Sequence, residues 1–189
     1  MIKRRPMVKF LLEGRPDKLL AVSSLGTSTW DLTASGDDAR NFCFIGAMGQ
    51  AGPFALGLAM AQPDKRVVLF AGDGELLMGL GSLATIATHA PSNLAVVAMD
   101  NESYVETGSQ PTATSKGTDL EVVARGCGFA SSFTVTRESE LEELREKLRS
   151  APGPIFANVK IVCESLPLVF PHSFDGATAI NRFRDAATG

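Results

Sequence analysis

Cysteine is scarce and scattered: Cys43, Cys127 and Cys163 are the only three in 189 residues, and no C-x-x-C spacing pairs any two of them. That excludes a disulfide framework and offers no zinc or iron–sulfur cage. All three read as buried small hydrophobes in a reducing, cytoplasmic protein. Histidine is scarcer still. His89 and His172 stand far apart, with no neighbouring nucleophile or metal pattern, and read as surface or helix-end residues. No apolar run approaches the roughly 18 residues of a membrane span. A net charge of −3 gives no electrostatic case for nucleic acid as a partner. The start, MIKRRPMVKFLLEGRPDK, has a basic cluster but lacks an uninterrupted apolar core and a small-residue cleavage site. It reads as a short amphipathic helix on the surface, not a signal peptide. No linker, repeat or low-complexity stretch divides the chain, so residues 1–189 read as a single domain with room for a proper core.

What is present is a regular alternation. KLLAVSS (18–24), NFCFIG (41–46), KRVVLFAG (65–72), NLAVVAMD (93–100), SSFTVT (131–136) and PIFANVKIV (154–162) read as strands. KRVVLFAG is continuously apolar, as a central parallel strand should be. Between the strands lie helical patterns: a short helix or turn at TSTWDLTASG, helices over 52–62, 119–129 and 138–150, and one helix over 75–90. The last of these would bury Leu76, Leu80, Leu83, Ile86 and Ala87 on one face. The tail allows a further helix through Ala179, Ile180 and Phe183. Repeated strand-then-helix units predict an α/β fold, a parallel sheet with helices on both faces. Ligands of such folds bind beyond the carboxyl ends of the strands. SLGTS, GAMG, GDG and DN all fall at that edge.

Asp73, between Gly72 and Gly74, allows close backbone approach and offers a carboxylate. Asn101 ends the next strand if the intervening helix crosses over. One carboxylate, one amide oxygen and a nearby main-chain carbonyl suit a hard cation such as Mg²⁺, which completes its octahedron with phosphate and water oxygens. The hydroxyls and amides of SLGTS, at a helix start, suit a phosphate. A lone Gly-Asp-Gly is a tight turn. Gly-Asp-Gly with a distant Asn, and a strand–helix–strand unit in play, specifies much more.

This GDG…N pattern resembles the thiamine diphosphate (TPP) motif of the TPP-dependent enzymes. LGTS (25–28) resembles their diphosphate loop, and GAMG (46–49) the loop holding the aminopyrimidine. The whole chain is similar to the pyrophosphate-binding domain of 2-oxoacid decarboxylases. IGAMGQAGPFALGLAM and DGELLMGLGSLATIA look closest to sulfopyruvate and phosphonopyruvate decarboxylases, and suggest a β-type subunit. The resemblance implies that Asp73, Asn101 and the Ser103 carbonyl hold Mg²⁺. It implies that Gly26, Thr27, Ser28, Gly72 and the Gly74 amide surround the diphosphate. Gly46, Ala47, Met48 and Gly49 would hold the pyrimidine, with Met48 wedging the cofactor into a V-shape and the Gly46 carbonyl accepting from its amino group. Glu75 stands where many relatives have a small residue or serine; its charge repels phosphate unless it points away or onto a helix N-terminus. Tyr104, Glu106 and Gln110 fall in the active-site wall (101–114), to meet substrate or a partner chain. Met48 and Glu106 are the catalytic candidates.

The resemblance also implies a missing half. A complete TPP enzyme has a pyrimidine-binding domain, for which this chain has no room. The expectation is a hetero-oligomer with a separate α-type subunit, at least two copies of each, converting a small anionic 2-oxoacid to CO₂ and an aldehyde. Three other readings compete: the β subunit of a 2-oxoacid oxidoreductase, half of an acetolactate-synthase-like carboligase, and a non-catalytic nucleotide-binding module. Clustered cysteines are absent for the first. No G-x-G-x-x-G or Walker A pattern supports the last.

Overall fold

The computed structural model describes all 189 residues. Its elements run α1 (Arg4–Leu12), β1 (Leu19–Ser23), α2 (Thr27–Ala34), β2 (Asn41–Cys43), α3 (Ala51–Ala61), β3 (Arg66–Gly72), α4 (Asp73–Met78), α5 (Gly81–His89) and β4 (Leu94–Asp100). The short strands β5 (Ser103–Tyr104) and β6 (Gln110–Pro111) follow, then α6 (Leu120–Cys127), β7 (Ser131–Val135), α7 (Leu141–Ser150), β8 (Ile155–Lys160) and α8 (Gly176–Thr188). Six strands form one parallel sheet in the order β2-β1-β3-β4-β8-β7. β5 and β6 pair antiparallel as a separate hairpin.

Successive side chains of a strand point to opposite faces, so β3 serves two apolar layers at once. Val68 and Phe70 pack with Met7 and Leu11 of α1 and Leu144 and Leu148 of α7. Val67 and Leu69 pack with Ala55 of α3, Leu83 and Ile86 of α5, and Leu120 of α6. Helices therefore cover both faces, as the alternation predicts. No helix is long and apolar enough to cross a membrane.

Three local expectations need correction. The helix over 75–90 is two helices, broken at Gly79 and Leu80, because the Gly79 backbone is pressed against Gly49. A Cβ on Gly79 would lie 2.1 Å from the Gly49 carbonyl oxygen. The basic start is not a purely surface feature: Arg4 is 1% exposed, paired with Asp31 of α2, which also takes Arg5 at 2.9 Å. Burial pushes the Asp31 carboxyl up, against the pull of the two guanidiniums. Arg4 also donates to the Thr27 carbonyl at 3.3 Å, which ties α1 to the start of α2. Cys43 and Cys127 are only half-buried and Cys163 is exposed. The tail forms the helix expected through Ala179, Ile180 and Phe183; it buries Phe183 and Ala187 and leaves Ile180 exposed.

Candidate cofactor site

The strand order reverses between β1 and β3, since β2 continues the sheet on one side of β1 and β3 on the other. That switch point is where open α/β sheets hold ligands. A cleft of about 640 Å³ opens there, lined by Leu25–Ser28 after β1, Met48 after β2, Gly72–Glu75 after β3, and Met99, Asn101 and Ser103–Thr107 at the end of β4 and beyond. Of the predicted site residues, Gly46, Ala47 and Gly49 do not line it: the first two are exposed on the rim, and Gly49 is buried behind. A hollow of about 690 Å³ lies by β2 and α8. Its Asp37 and Arg182 are already paired with each other, at 2.6 and 3.0 Å, and it carries no comparable chemistry.

The phosphate side is built from backbone. Gly26 takes φ +80°, open to glycine at no cost, and starts α2 with no side chain capping it. The Thr29 amide bonds the Gly26 carbonyl at 3.0 Å, which leaves the Thr27 and Ser28 amides and the Thr27 hydroxyl at the cleft, the usual condition for anion binding. Ser28 is buried, its Oγ 3.3 Å from that of Ser24. Gly74 must be glycine, because the Tyr104 ring lies on it and a Cβ would sit 2.1 Å from that ring.

The register pairs Gly72 with Met99, so Asp73 and the Asp100–Asn101 turn stand side by side. Asp73 is 1% exposed, and its Oδ2 accepts from the hydroxyls of Thr112 (2.5 Å) and Thr114 (2.9 Å). Burial pushes its carboxyl up; the Thr112 hydrogen bond opposes this and the nearby Asp100 adds to it. Asp100 has its own cation, Lys160 Nζ at 2.7 Å. Asp73 has none. Asn101 Oδ1 accepts the Ser103 amide at 3.0 Å, which with Glu102 at φ +62° turns the chain back so that Ser103 lines the cleft, its buried Oγ unpartnered. A buried carboxylate without a cation, among amide, hydroxyl and carbonyl oxygens, is a donor set that fits Mg²⁺.

Glu75 points onto a helix N-terminus, one of the two ways its charge can be accommodated: it is 4% exposed, and its carboxylate accepts the amides of Gly49 (2.7 Å) and Ala51 (3.2 Å) at the start of α3. Glu106 stands at the mouth. Its Oε1 takes the Trp30 indole N–H at 2.5 Å, and its carboxyl carbon lies 3.6 Å from where a Gly26 Cβ would be. Gln110 is exposed, paired with Tyr104 in the hairpin, and its side chain bonds only Thr107.

Sequence reasoning missed Thr112, Thr114, Asp100, Lys160 and Trp30. The signal within reach was the hydroxyl run of PTAT, placed where a wall must return toward GDG.

Comparison with known proteins agrees with this geometry. Residues 29–159 match the thiamine pyrophosphate enzyme family, through its C-terminal TPP binding domain. The chain belongs to that family. Within it, the chain is 42% identical to the sulfopyruvate decarboxylase subunit beta of Methanocaldococcus jannaschii, over 87% of this chain and 85% of that one. It is 35% identical to the phosphonopyruvate decarboxylase of Streptomyces viridochromogenes, covering 94% of this chain but only 44% of that one. Benzoylformate decarboxylase from Polynucleobacter necessarius shares the fold, with a TM-score of 0.73 and 20% identity, over 88% of this chain and 34% of that one.

Proposed function

We propose that this chain is the TPP- and Mg²⁺-binding subunit of a 2-oxoacid decarboxylase, completed by a separate pyrimidine-binding chain in a hetero-oligomer. Its substrate is a small pyruvate bearing a second anionic group, sulfonate or phosphonate, and its products are CO₂ and an aldehyde. One observation carries the reading: a buried Asp73 with no cation, beside the uncapped start of α2, at the crevice between β1 and β3.

Asp73, Asn101 and the Ser103 carbonyl hold the ion, and Thr27 with the Gly74 amide takes the diphosphate. Bound there, TPP supplies an electron sink for the departing CO₂. Met48 would pack beneath the cofactor, and the Gly46 carbonyl would accept a hydrogen bond from its amino group. Tyr104 and Glu106 wall the substrate side. The exposed rim at Gly46 and Ala47 supports a shared site, where a partner chain would cover the pyrimidine. Likeness to the β subunit of a sulfopyruvate decarboxylase supports both the substrate class and the partner.

The test is calorimetry of TPP with and without Mg²⁺, and turnover of sulfopyruvate or phosphonopyruvate with and without the pyrimidine-binding chain. Binding should require the metal, and decarboxylation should require both chains. Turnover by this chain alone would defeat the shared site. A second reading draws on 27% identity to an acetolactate synthase large subunit of Escherichia coli, over 67% of this chain. It predicts a carbon–carbon adduct in place of the aldehyde.

A further inference from the structure

Glu75 lines the cleft and is buried, and its carboxylate is taken up by the amides of Gly49 and Ala51. The segment it touches is poorly held otherwise. The Phe44 amide bonds the Ser23 carbonyl at 2.9 Å and the Gln50 carbonyl accepts the Phe54 amide at 3.1 Å, but between these the chain has only the long bond from Gln50 N–H to the Ala47 carbonyl, at 3.4 Å. Ile45, Gly46 and Ala47 are exposed, and Met48 is half-buried. The firm anchors are the two amides that Glu75 receives, on either side of Gln50.

We propose that Glu75 is a positioning residue for decarboxylation: its carboxylate fixes the 46–49 segment so that Met48 and the Gly46 carbonyl are in place before the aminopyrimidine arrives. The proposal rests on the function given above. Hydrogen bonds to an ionised acceptor are shorter and stronger than neutral ones, and a negative charge at the start of α3 is favoured by the helix dipole. Gly49 takes φ +83°, and a Cβ there would lie 2.9 Å from the Gly79 amide nitrogen, so the segment has one way to sit once its amide is captured. Only a carboxylate presents two acceptors to two N–H groups. A glutamine would satisfy one and set its own NH₂ against the other.

The experiment compares Glu75→Gln and Glu75→Ala with wild type in three measurements. Amide hydrogen exchange at Gly49 and Ala51 on this chain alone should quicken, most in Glu75→Ala. The Mg²⁺-dependent Kd for TPP should stay within about threefold, because diphosphate and metal are held elsewhere; kcat in the two-chain assembly should fall roughly a hundredfold in Glu75→Ala and less in Glu75→Gln, the scale of a misplaced group. Unchanged exchange, or unchanged kcat, overturns the proposal. So does a TPP affinity that falls in step with kcat, which marks general damage to the cleft. Should Glu75→Ala fail to fold, the isosteric Glu75→Gln decides the matter by the same three measurements. Wild type that binds no TPP would instead bring down the function itself, and normal TPP binding with a failed Glu75 result brings down only this role.

Discussion

The two ends of the cleft are built differently. At the β3–β4 end, Asp73 is locked by two threonine hydroxyls, and Asp100 and Lys160 pair behind it. At the rim after β2, Gly46 and Ala47 lie exposed, and a single carboxylate from α4 holds the loop. On the proposed function, the first end would hold the ion within one chain and the second would be one side of a shared interface. The contrast would then separate affinity, set by the first, from turnover, set by the second.

That separation can be broken experimentally. Asp73→Ala carries the largest effect: Mg²⁺-dependent TPP binding should be lost, by calorimetry, while the apo chain stays folded, since the change removes an uncompensated buried charge. Retained affinity would overturn the ligand assignment. Thr114→Val removes a hydroxyl that orients Asp73 and bridges to Asp100, at 2.9 Å from each. Partners of metal ligands are typically worth about 10–100-fold in metal affinity, so Kd should rise within that range with kcat at saturation nearly unchanged. Met48→Ala should do the reverse, leaving Kd within a few-fold and lowering kcat roughly tenfold or more. Equal losses in both quantities would erase the contrast between the two ends. The smallest effect is on pH. Burial holds the protonated form of Asp73 to higher pH than an exposed aspartate, so protons compete with Mg²⁺ there. Metal affinity should fall as pH drops through that raised value, by at most about tenfold per unit for one carboxylate. A flat profile above the ordinary aspartate range would contradict it.

Much of the molecule is legible in the sequence, for a physical reason. Strands buried on both faces are written as unbroken apolar runs, and the residues just past their ends declare the ligand edge, so Asp73, Asn101 and the Thr27 loop can be placed by spacing. What escapes depends on contacts between distant segments. The break falls by Gly79 and Gly81, weak helix formers that hint at it locally, but the Gly49 backbone packed against Gly79 lies in a distant segment. Arg4 reads as part of a surface cluster because its partner, Asp31, lies in another helix. Thr112 and Thr114 have no spacing signature, since a hydroxyl donor works wherever the chain returns within reach. Glu75 stands out as discordant beside phosphate, and the amides that receive it can be found only in three dimensions.

The backbone contact between Gly49 and Gly79 joins the loop after β2 to the turn after β3 with no side chain between them to absorb a mismatch. For anyone reshaping this scaffold, the two loops are therefore one graft. A donor sequence exchanged at one alone would meet the other main chain head-on.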